Sequence, residues 1–189
     1  MGLAGRAKAT DSRPMQSDAA PQTPRPATIA LPSPEATSKL ARQLARHLMP
    51  GDTLLLTGPV GAGKTFFARS LIQTMLAEDG RYEEVPSPTF SLVQTYDTGQ
   101  GEVWHADLYR LTGEDQLDEL GLGDALGREI CLVEWPERLS AYLPPDALSL
   151  RLLYDDRDPE ARHAELSAAA GRWRPVLEAM ATRSAFADD

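Results

Sequence analysis

One glycine-rich segment constrains this chain more than any other feature of its sequence. It matches the pattern G-x-x-x-x-G-K-[ST] through Gly58, Pro59, Val60, Gly61, Ala62, Gly63, Lys64 and Thr65. An apolar run over residues 53–57 precedes the segment, and an amphipathic stretch over residues 66–76 follows it. This order predicts a strand, a phosphate-binding loop and a helix, which is the structural context that the motif requires.

The residue types in this segment fit the chemistry of a bound triphosphate. Glycines let backbone N–H groups approach phosphate oxygens without interference from a Cβ atom, and the helix N-terminus adds donors and a positive dipole end. Lys64 is placed to reach the β- and γ-phosphates, and the Thr65 hydroxyl is placed to ligate Mg²⁺. The segment therefore predicts that the chain binds a nucleoside triphosphate.

Composition and charge narrow the class of protein. The chain has 189 residues, 42% hydrophobic and 25% charged, which is enough for one domain with a core. Its formal net charge of −9 argues against direct binding of nucleic acid, but it is compatible with a subunit that serves a nucleic-acid enzyme. No apolar run approaches the length of a membrane span. The single cysteine, Cys131, cannot form an internal disulfide, which fits a reducing cytoplasm, and its place in an apolar run predicts a buried structural thiol.

The chain divides into three parts by composition. Residues 1–27 carry many Ala, Pro and Ser residues and are predicted to be a disordered extension, residues 28–184 a folded P-loop domain, and residues 185–189 a flexible tail. Within the domain, Ser33 is expected to cap a helix that begins at Pro34. Strands are predicted over residues 28–31, 53–57, 90–97, 102–108, 129–133, 147–154 and 163–170, and a closing helix over residues 173–183. The expected fold is an α/β three-layer sandwich whose sheet mixes parallel and antiparallel strands, flanked by helices.

Two predicted strands end in an acidic residue. One closes with Asp107 and the other with Glu134. A P-loop site needs such a carboxylate at the end of a neighbouring strand, to hold Mg²⁺ or its water. Each residue taken alone is equally compatible with a structural carboxylate, and the phosphate loop favours the functional interpretation for both.

Two further features leave alternatives open. Ser87, Pro88 and Thr89 come after the helix that follows the phosphate loop. Many P-loop proteins carry a switch there that senses the γ-phosphate, but the prolines on both sides of Ser87 would also mark the start of a strand. His105 shares a strand face with Asp107 and is compatible with a catalytic pair, although a hydrogen-bonded structural histidine is more common.

Several of these motifs together resemble the TsaE (YjeE) family, the small P-loop ATPases of bacterial tRNA threonylcarbamoyladenosine (t6A) biosynthesis. The resemblance covers the chain from about Thr28 to the final helix. The loop alone is unspecific, whereas the ordered set is specific. The set comprises GAGKT at 61–65, SPTFSLV at 87–93, HADLYRL at 105–111 and CLVEWP at 131–136.

The resemblance implies roles for particular residues. Lys64 and the loop amides would hold ATP, Thr65 and Glu134 would coordinate Mg²⁺, and Asp107 would serve hydrolysis by ordering water or the metal shell. Thr89 would belong to the γ-phosphate switch, and Trp135 would lie near the nucleotide. The catalytic residues implied are Asp107, Lys64 and Glu134. The nucleotide-binding residues implied are Pro34, Gly58, Gly61, Ala62, Gly63, Lys64, Thr65, Phe66, Thr89 and Trp135.

The resemblance also implies partners. In the family, the ATPase works with the TsaD–TsaB pair, which transfers threonylcarbamoyl to adenosine 37 of tRNA, so the expected contact with tRNA is indirect. The chain departs from the family pattern at two site positions. Phe66 stands where a second threonine is common, which lowers the expected nucleotide affinity, and Pro34 replaces a more usual acidic or polar residue near the base.

Three other functions can use the same loop. A small-molecule kinase needs a lid with arginines, and the segment between Arg110 and Arg128 contains none. A GTPase needs an Asn-Lys-x-Asp segment, and the chain contains no asparagine. A nucleotide-binding scaffold without turnover is compatible with the sequence. The prediction is a weak, partner-dependent Mg²⁺ ATPase.

Overall fold

The computed structural model describes residues 26–113, 115–169 and 171–184, in which one sheet carries the fold. The strands of this described part are β1 (Ala27–Leu31), β2 (Thr53–Thr57), β3 (Val93–Thr98), β4 (Gly101–Asp107), β5 (Ile130–Glu134), β6 (Leu148–Tyr154) and β7 (Arg162–Ala168). Their order in the sheet is β1-β7-β6-β2-β5-β4-β3. Strands β6, β2, β5 and β4 are parallel, whereas β1, β7 and β3 pair antiparallel to their neighbours.

Helices cover both faces of this sheet. They are α1 (Pro34–Ala45), α2 (Lys64–Glu78), α3 (Asp115–Glu119), α4 (Leu122–Ala125) and α5 (Arg174–Ser184), with short 3-10 helices over Pro136–Arg138, Ser140–Tyr142 and Gly171–Trp173. Helices α1, α2 and α5 share one hydrophobic core with the sheet, and α3 and α4 share a second. The predicted three-layer sandwich with a mixed sheet is confirmed.

Strand β5 shows why two cores form. It is buried along its whole length, and its side chains alternate between the two cores. Ile130 and Leu132 belong to the core with α2, and Cys131 and Val133 belong to the core with α4. This is the pattern expected of a central parallel strand, in which successive side chains point to opposite faces. The predicted buried thiol at Cys131 is confirmed.

The start of α1 follows the local signals in the sequence. Ser33 is the N-cap, and its hydroxyl oxygen accepts a hydrogen bond from the Ala36 N–H at 3.4 Å. Pro34 occupies the first turn, where its missing N–H is not needed. The expected extension over residues 1–27 lies outside the described residues except for Pro26 and Ala27, and β1 begins at Ala27. The expected tail over residues 185–189 also lies outside them.

One predicted strand begins later than the sequence indicates. The prediction starts the extended segment at Phe90, but residues 88–91 form a turn and β3 begins at Val93. Leu92 adopts a left-handed backbone conformation with φ 64°, and its N–H donates to the Pro88 carbonyl at 2.6 Å. That local hydrogen bond closes the turn, which holds Thr89 away from the strand and beside the end of β4.

Candidate active site

The phosphate-loop motif connects the end of β2 to the start of α2. Gly63 is the N-cap of α2 in a left-handed conformation with φ 102°, a conformation that glycine adopts without strain. Lys64 and Thr65 are then the first two helical residues, so both side chains begin at the helix N-terminus. Backbone N–H groups at this end lack helical acceptors, which makes the site suited to an anion.

Parallel strand pairing brings the two candidate carboxylates to the same edge of the sheet. Asp107 is the register partner of Glu134 in the β4–β5 pair, and Leu56 is the partner of Glu134 in the β2–β5 pair. Both acids therefore lie where β2 ends and the phosphate loop begins. They are also buried, with exposed fractions of 4% for Asp107 and 2% for Glu134.

The Glu134 carboxylate is fixed through both of its oxygens. The Thr65 hydroxyl donates to Oε2 at 2.8 Å, and His105 Nε2 lies 3.0 Å from Oε1. His105 is fully buried, and its Nδ1 has no hydrogen-bond partner among the described residues. An ionised Glu134 accepts only, so His105 Nε2 must carry the proton of this contact.

The Asp107 carboxylate is held by the turn that follows Pro88. The Thr89 hydroxyl donates to Oδ2 at 2.6 Å, and the Tyr109 N–H donates to Oδ1 at 3.1 Å. The Ser87 hydroxyl lies 2.7 Å from the Thr89 hydroxyl and extends this chain of contacts. The segment that is a candidate switch is thus linked directly to the candidate catalytic acid.

Lys64 is buried between its own loop and an aromatic ring. Its Nζ donates to the carbonyls of Gly58 and Pro59 at 2.8 and 2.9 Å, and it lies 4.0 Å from the centroid of the Trp135 ring. Burial lowers the pKa of Lys64, and the nearby carboxylates of Glu134 and Asp107 oppose that shift. These two acids therefore favour the charged ammonium, which is the form that binds phosphate.

A cavity of about 380 Å³ opens between the loop and the two acids. It is lined by Val60, Gly61, Gly63, Lys64, Thr65, Phe66, Thr89, Asp107, Tyr109, Glu134 and Trp135. Tyr109 and Trp135 form one wall, with ring centroids 5.0 Å apart. Trp135 reaches this position from a left-handed backbone conformation with φ 59°, directly after β5 ends.

Most of the site residues predicted from the sequence meet at this cavity, and three do not line it. Gly58 lies at the base of the loop, Ala62 is buried beneath it, and Pro34 begins α1. Phe66 lines the cavity and is 37% exposed. Tyr109 is a wall residue that the sequence prediction omits, although its position two residues after Asp107 was a usable signal.

The alternative of a His105–Asp107 pair does not describe the contacts. His105 bonds Glu134 on the neighbouring strand, and Asp107 bonds Thr89 and Tyr109. His105 and Asp107 point to the same face of β4. Their partners differ because His105 lies within reach of Glu134 on β5, whereas Asp107 lies beside the turn that carries Thr89. His105 is therefore a buried histidine that supports the other acid.

Comparison with known proteins places these features in a family. The family model "Threonylcarbamoyl adenosine biosynthesis protein TsaE" matches residues 31–164. Proteins named tRNA threonylcarbamoyladenosine biosynthesis protein TsaE are similar to this chain. That of Rickettsia felis is 41% identical over 124 residues, 66% of this chain and 71% of that protein. That of Bacillus subtilis is 32% identical over 147 residues, 77% of this chain and 88% of that protein.

A solved structure is similar as well. The crystal structure of Bacillus subtilis YdiB matches with a TM-score of 0.65 at 28% sequence identity, and the match covers 84% of this chain and 95% of that one. None of the helices in the described residues is long and apolar enough to cross a membrane.

Proposed function

This chain belongs to the TsaE family, and we propose that it binds and hydrolyses ATP as a subunit required for t6A modification of tRNA. One observation carries the proposal. The phosphate loop and two buried strand-end carboxylates face the same cavity, with Thr65 hydrogen-bonded to Glu134 at 2.8 Å. This is the set of groups that a P-loop ATPase needs: a phosphate cradle, a metal-binding hydroxyl and acids beside it.

The residues present fit Mg²⁺ together with a triphosphate. Magnesium prefers oxygen ligands, and it is usually held by one or two carboxylates and the phosphates of the nucleotide. Thr65 and Glu134 supply a hydroxyl and a carboxylate oxygen at one point of the cavity wall. When bound, the ion would neutralise charge on the phosphates, and these two side chains would hold it.

Lys64, Asp107 and Thr89 would have the remaining roles in phosphate binding and hydrolysis. Lys64 would leave its loop carbonyls and place its ammonium on the phosphates, guided by the loop amides. Asp107 would orient water at the γ-phosphate, because it is ionisable, buried and fixed by Thr89 and Tyr109. Since Thr89 bonds this acid directly, movement of the 87–89 segment would couple the phosphate state to Asp107.

The proposed partners are TsaD and TsaB, and the proposed compartment is the cytoplasm. TsaD would transfer threonylcarbamoyl to tRNA, and the ATP cycle of this chain would support repeated turnover of the complex. Hydrolysis by the chain alone would be slow, because partner contacts would complete the arrangement around the water and the γ-phosphate.

Reconstitution tests this function. The full chain is combined with TsaD, TsaB, threonylcarbamoyl-adenylate and tRNA, and modified tRNA is counted per complex with and without ATP. We expect several rounds of modification with ATP and about one without it. Substitution of Lys64→Ala, Asp107→Ala or Glu134→Ala should abolish that support, with the fold checked by circular dichroism.

Two results would contradict the proposal. One is ATP-independent multiple turnover of the complex. The other is rapid phosphorylation of a small metabolite by this chain without partners, which would favour the kinase alternative.

A further inference from the structure

The phosphate loop is held from outside the nucleotide cavity by the end of β6. The Tyr154 hydroxyl donates to the Val60 carbonyl at 2.6 Å, across 94 positions of sequence. Tyr154 itself is not among the residues that line the cavity. We propose that Tyr154 is a positioning residue that orients the Val60–Gly61 peptide for phosphate binding.

The geometry of the peptide bond links the Tyr154–Val60 hydrogen bond to the direction of the Gly61 N–H. In a trans peptide the C=O and the N–H point in opposite directions. The Val60 carbonyl points to Tyr154, so the Gly61 N–H of the same peptide points away from the tyrosine. Both Val60 and Gly61 line the cavity. The hydrogen bond from Tyr154 therefore fixes the direction of the Gly61 N–H, and in our proposal this is the direction from which a phosphate oxygen approaches.

The loop is also fitted closely against β6. A Cβ atom added at Gly61 would lie 2.7 Å from the Tyr154 hydroxyl, and one added at Gly58 would lie 2.1 Å from the Leu152 carbonyl oxygen. Both distances are shorter than side chains allow. At Gly58 the obstructing atom belongs to the β6 backbone, so this contact and the positive φ of 129° both require glycine. At Gly61 the obstructing atom is the end of the Tyr154 side chain, so the positive φ of 78° is the stronger reason for glycine.

The tyrosine itself is supported by the neighbouring strand. Arg162 at the start of β7 lies over its ring, with 4.6 Å from the guanidinium carbon to the ring centroid. Arg162 is in turn fixed, because it donates to the carbonyls of Pro159 and Ala161 at 2.6 and 2.7 Å. Tyr154 is 44% exposed, and it is held on its ring by Arg162 and at its hydroxyl by the Val60 carbonyl.

The inference rests on the proposed ATP binding, and Tyr154→Phe tests it because only the hydroxyl is removed. Tyr82→Phe is the matched control, since Tyr82 is 88% exposed and lies outside the cavity lining. We expect the Kd for ATP to rise about 3- to 10-fold in Tyr154→Phe, as for one lost hydrogen bond. Hydrolysis at saturating ATP with partners present should stay within about 2-fold of the unsubstituted protein.

A second measurement separates orientation of the loop from general stability. The Ala62 N–H donates to the Pro59 carbonyl at 3.2 Å within the loop, so its hydrogen exchange reports loop opening. In nucleotide-free Tyr154→Phe this amide should exchange faster, while amides of β5 are unchanged. Arg162→Met removes the cation from the Tyr154 ring but leaves the Tyr154 hydroxyl in place. It should therefore give a smaller increase in the exchange of the Ala62 amide.

The outcomes are distinct. Unchanged ATP affinity or unchanged Ala62 exchange in Tyr154→Phe would overturn this inference and leave the proposed function in place. A fall in maximal hydrolysis without a change in affinity would also overturn it. Absence of ATP binding by the unsubstituted protein would overturn the proposed function, and this inference with it.

Discussion

Glu134 shows how one residue in this site depends on its surroundings. Its two carboxylate oxygens have different partners, the Thr65 hydroxyl on one side and His105 on the other. The histidine is on β4 and the threonine on α2, so two separate elements set the direction of one side chain. As the proposed metal ligand, Glu134 would present its free lone pairs at a fixed point.

His105→Leu tests this orientation. Removing the imidazole leaves Glu134 Oε1 buried without its donor, so we expect the Mg²⁺ concentration that supports half-maximal ATP binding to rise about 10- to 100-fold. His105→Gln is the control, because its amide can donate from nearly the same point, and it should recover much of the loss. The measurement is a magnesium titration of ATP binding. Equal Mg²⁺ requirements in both variants and the unsubstituted protein would contradict the role.

Thr89→Val tests the link between the turn and Asp107. Valine has the shape of threonine but lacks the hydroxyl that donates to Asp107 at 2.6 Å. We expect partner-stimulated hydrolysis to fall about 10-fold, as for loss of one hydrogen bond to a charged group, while ATP affinity changes little. Thr89→Ser should restore the rate. A Thr89→Val protein with normal hydrolysis would show that the contact has no part in turnover.

Among the elements, strand β5 both separates the two hydrophobic cores and ends in Glu134 at the candidate site. Cys131 lies at its second position, fully buried in the core with α4. Burial raises the pKa of this thiol to about 12, with a smaller contribution from the charge of Glu129. The thiol is therefore kept neutral in the folded protein over a pH range in which the unfolded chain ionises.

This shift predicts a pH dependence of stability. Below pH 9.0, the ordinary pKa of a cysteine thiol, the group is protonated in both the folded and the unfolded state, and its contribution is fully present. Between pH 9 and about 12 only the unfolded state loses the proton, so the free energy of unfolding should fall by up to ~1.4 kcal/mol per pH unit from this group. Cys131→Ala should lack this component in urea unfolding between about pH 8 and about pH 10.5, a window that spans the ordinary thiol pKa. Parallel curves for the two proteins would contradict the assignment.

Helix α1 depends on a cap that the sequence already indicates. Ser33→Ala removes the acceptor for the Ala36 N–H and should lower the free energy of unfolding by about 1 kcal/mol. Ser33→Asp restores a capping oxygen and should be close to the unsubstituted protein. Urea unfolding at neutral pH measures both changes, and an equal loss in both variants would show that the cap is not the cause.

At the scale of the whole molecule, sheet order gathers the site from distant parts of the chain. Parallel pairing of β2, β5 and β4 brings three features to one edge of the sheet. They are the phosphate loop, which follows Thr57, and the acids Glu134 and Asp107. These residues were predictable from the sequence because each sits at the end of an apolar run or in a recognisable loop. The mixed sheet and the capped helix at Ser33 were predictable as well, since those signals are local.

Other features were not predictable, because they depend on contacts between elements. Tyr154 acts on a loop 94 residues away, and neither its spacing nor its surroundings in the sequence indicate this. The partner of His105 is set by the register of β4 against β5, which a single sequence does not encode in a readable way. The predicted start of β3 at Phe90 was wrong because Leu92 adopts a positive φ that leucine rarely takes.

A crystal structure of the full chain with Mg²⁺ and a nonhydrolysable ATP analogue would show whether the loop and the two acids form one nucleotide site. We expect the triphosphate in the 58–65 loop, Lys64 on its phosphates, the ion against Thr65 and Glu134, and Asp107 facing the γ-phosphate. A nucleotide bound elsewhere, or a triphosphate in the loop with Glu134 and Asp107 remote from it, would rule out the proposed site.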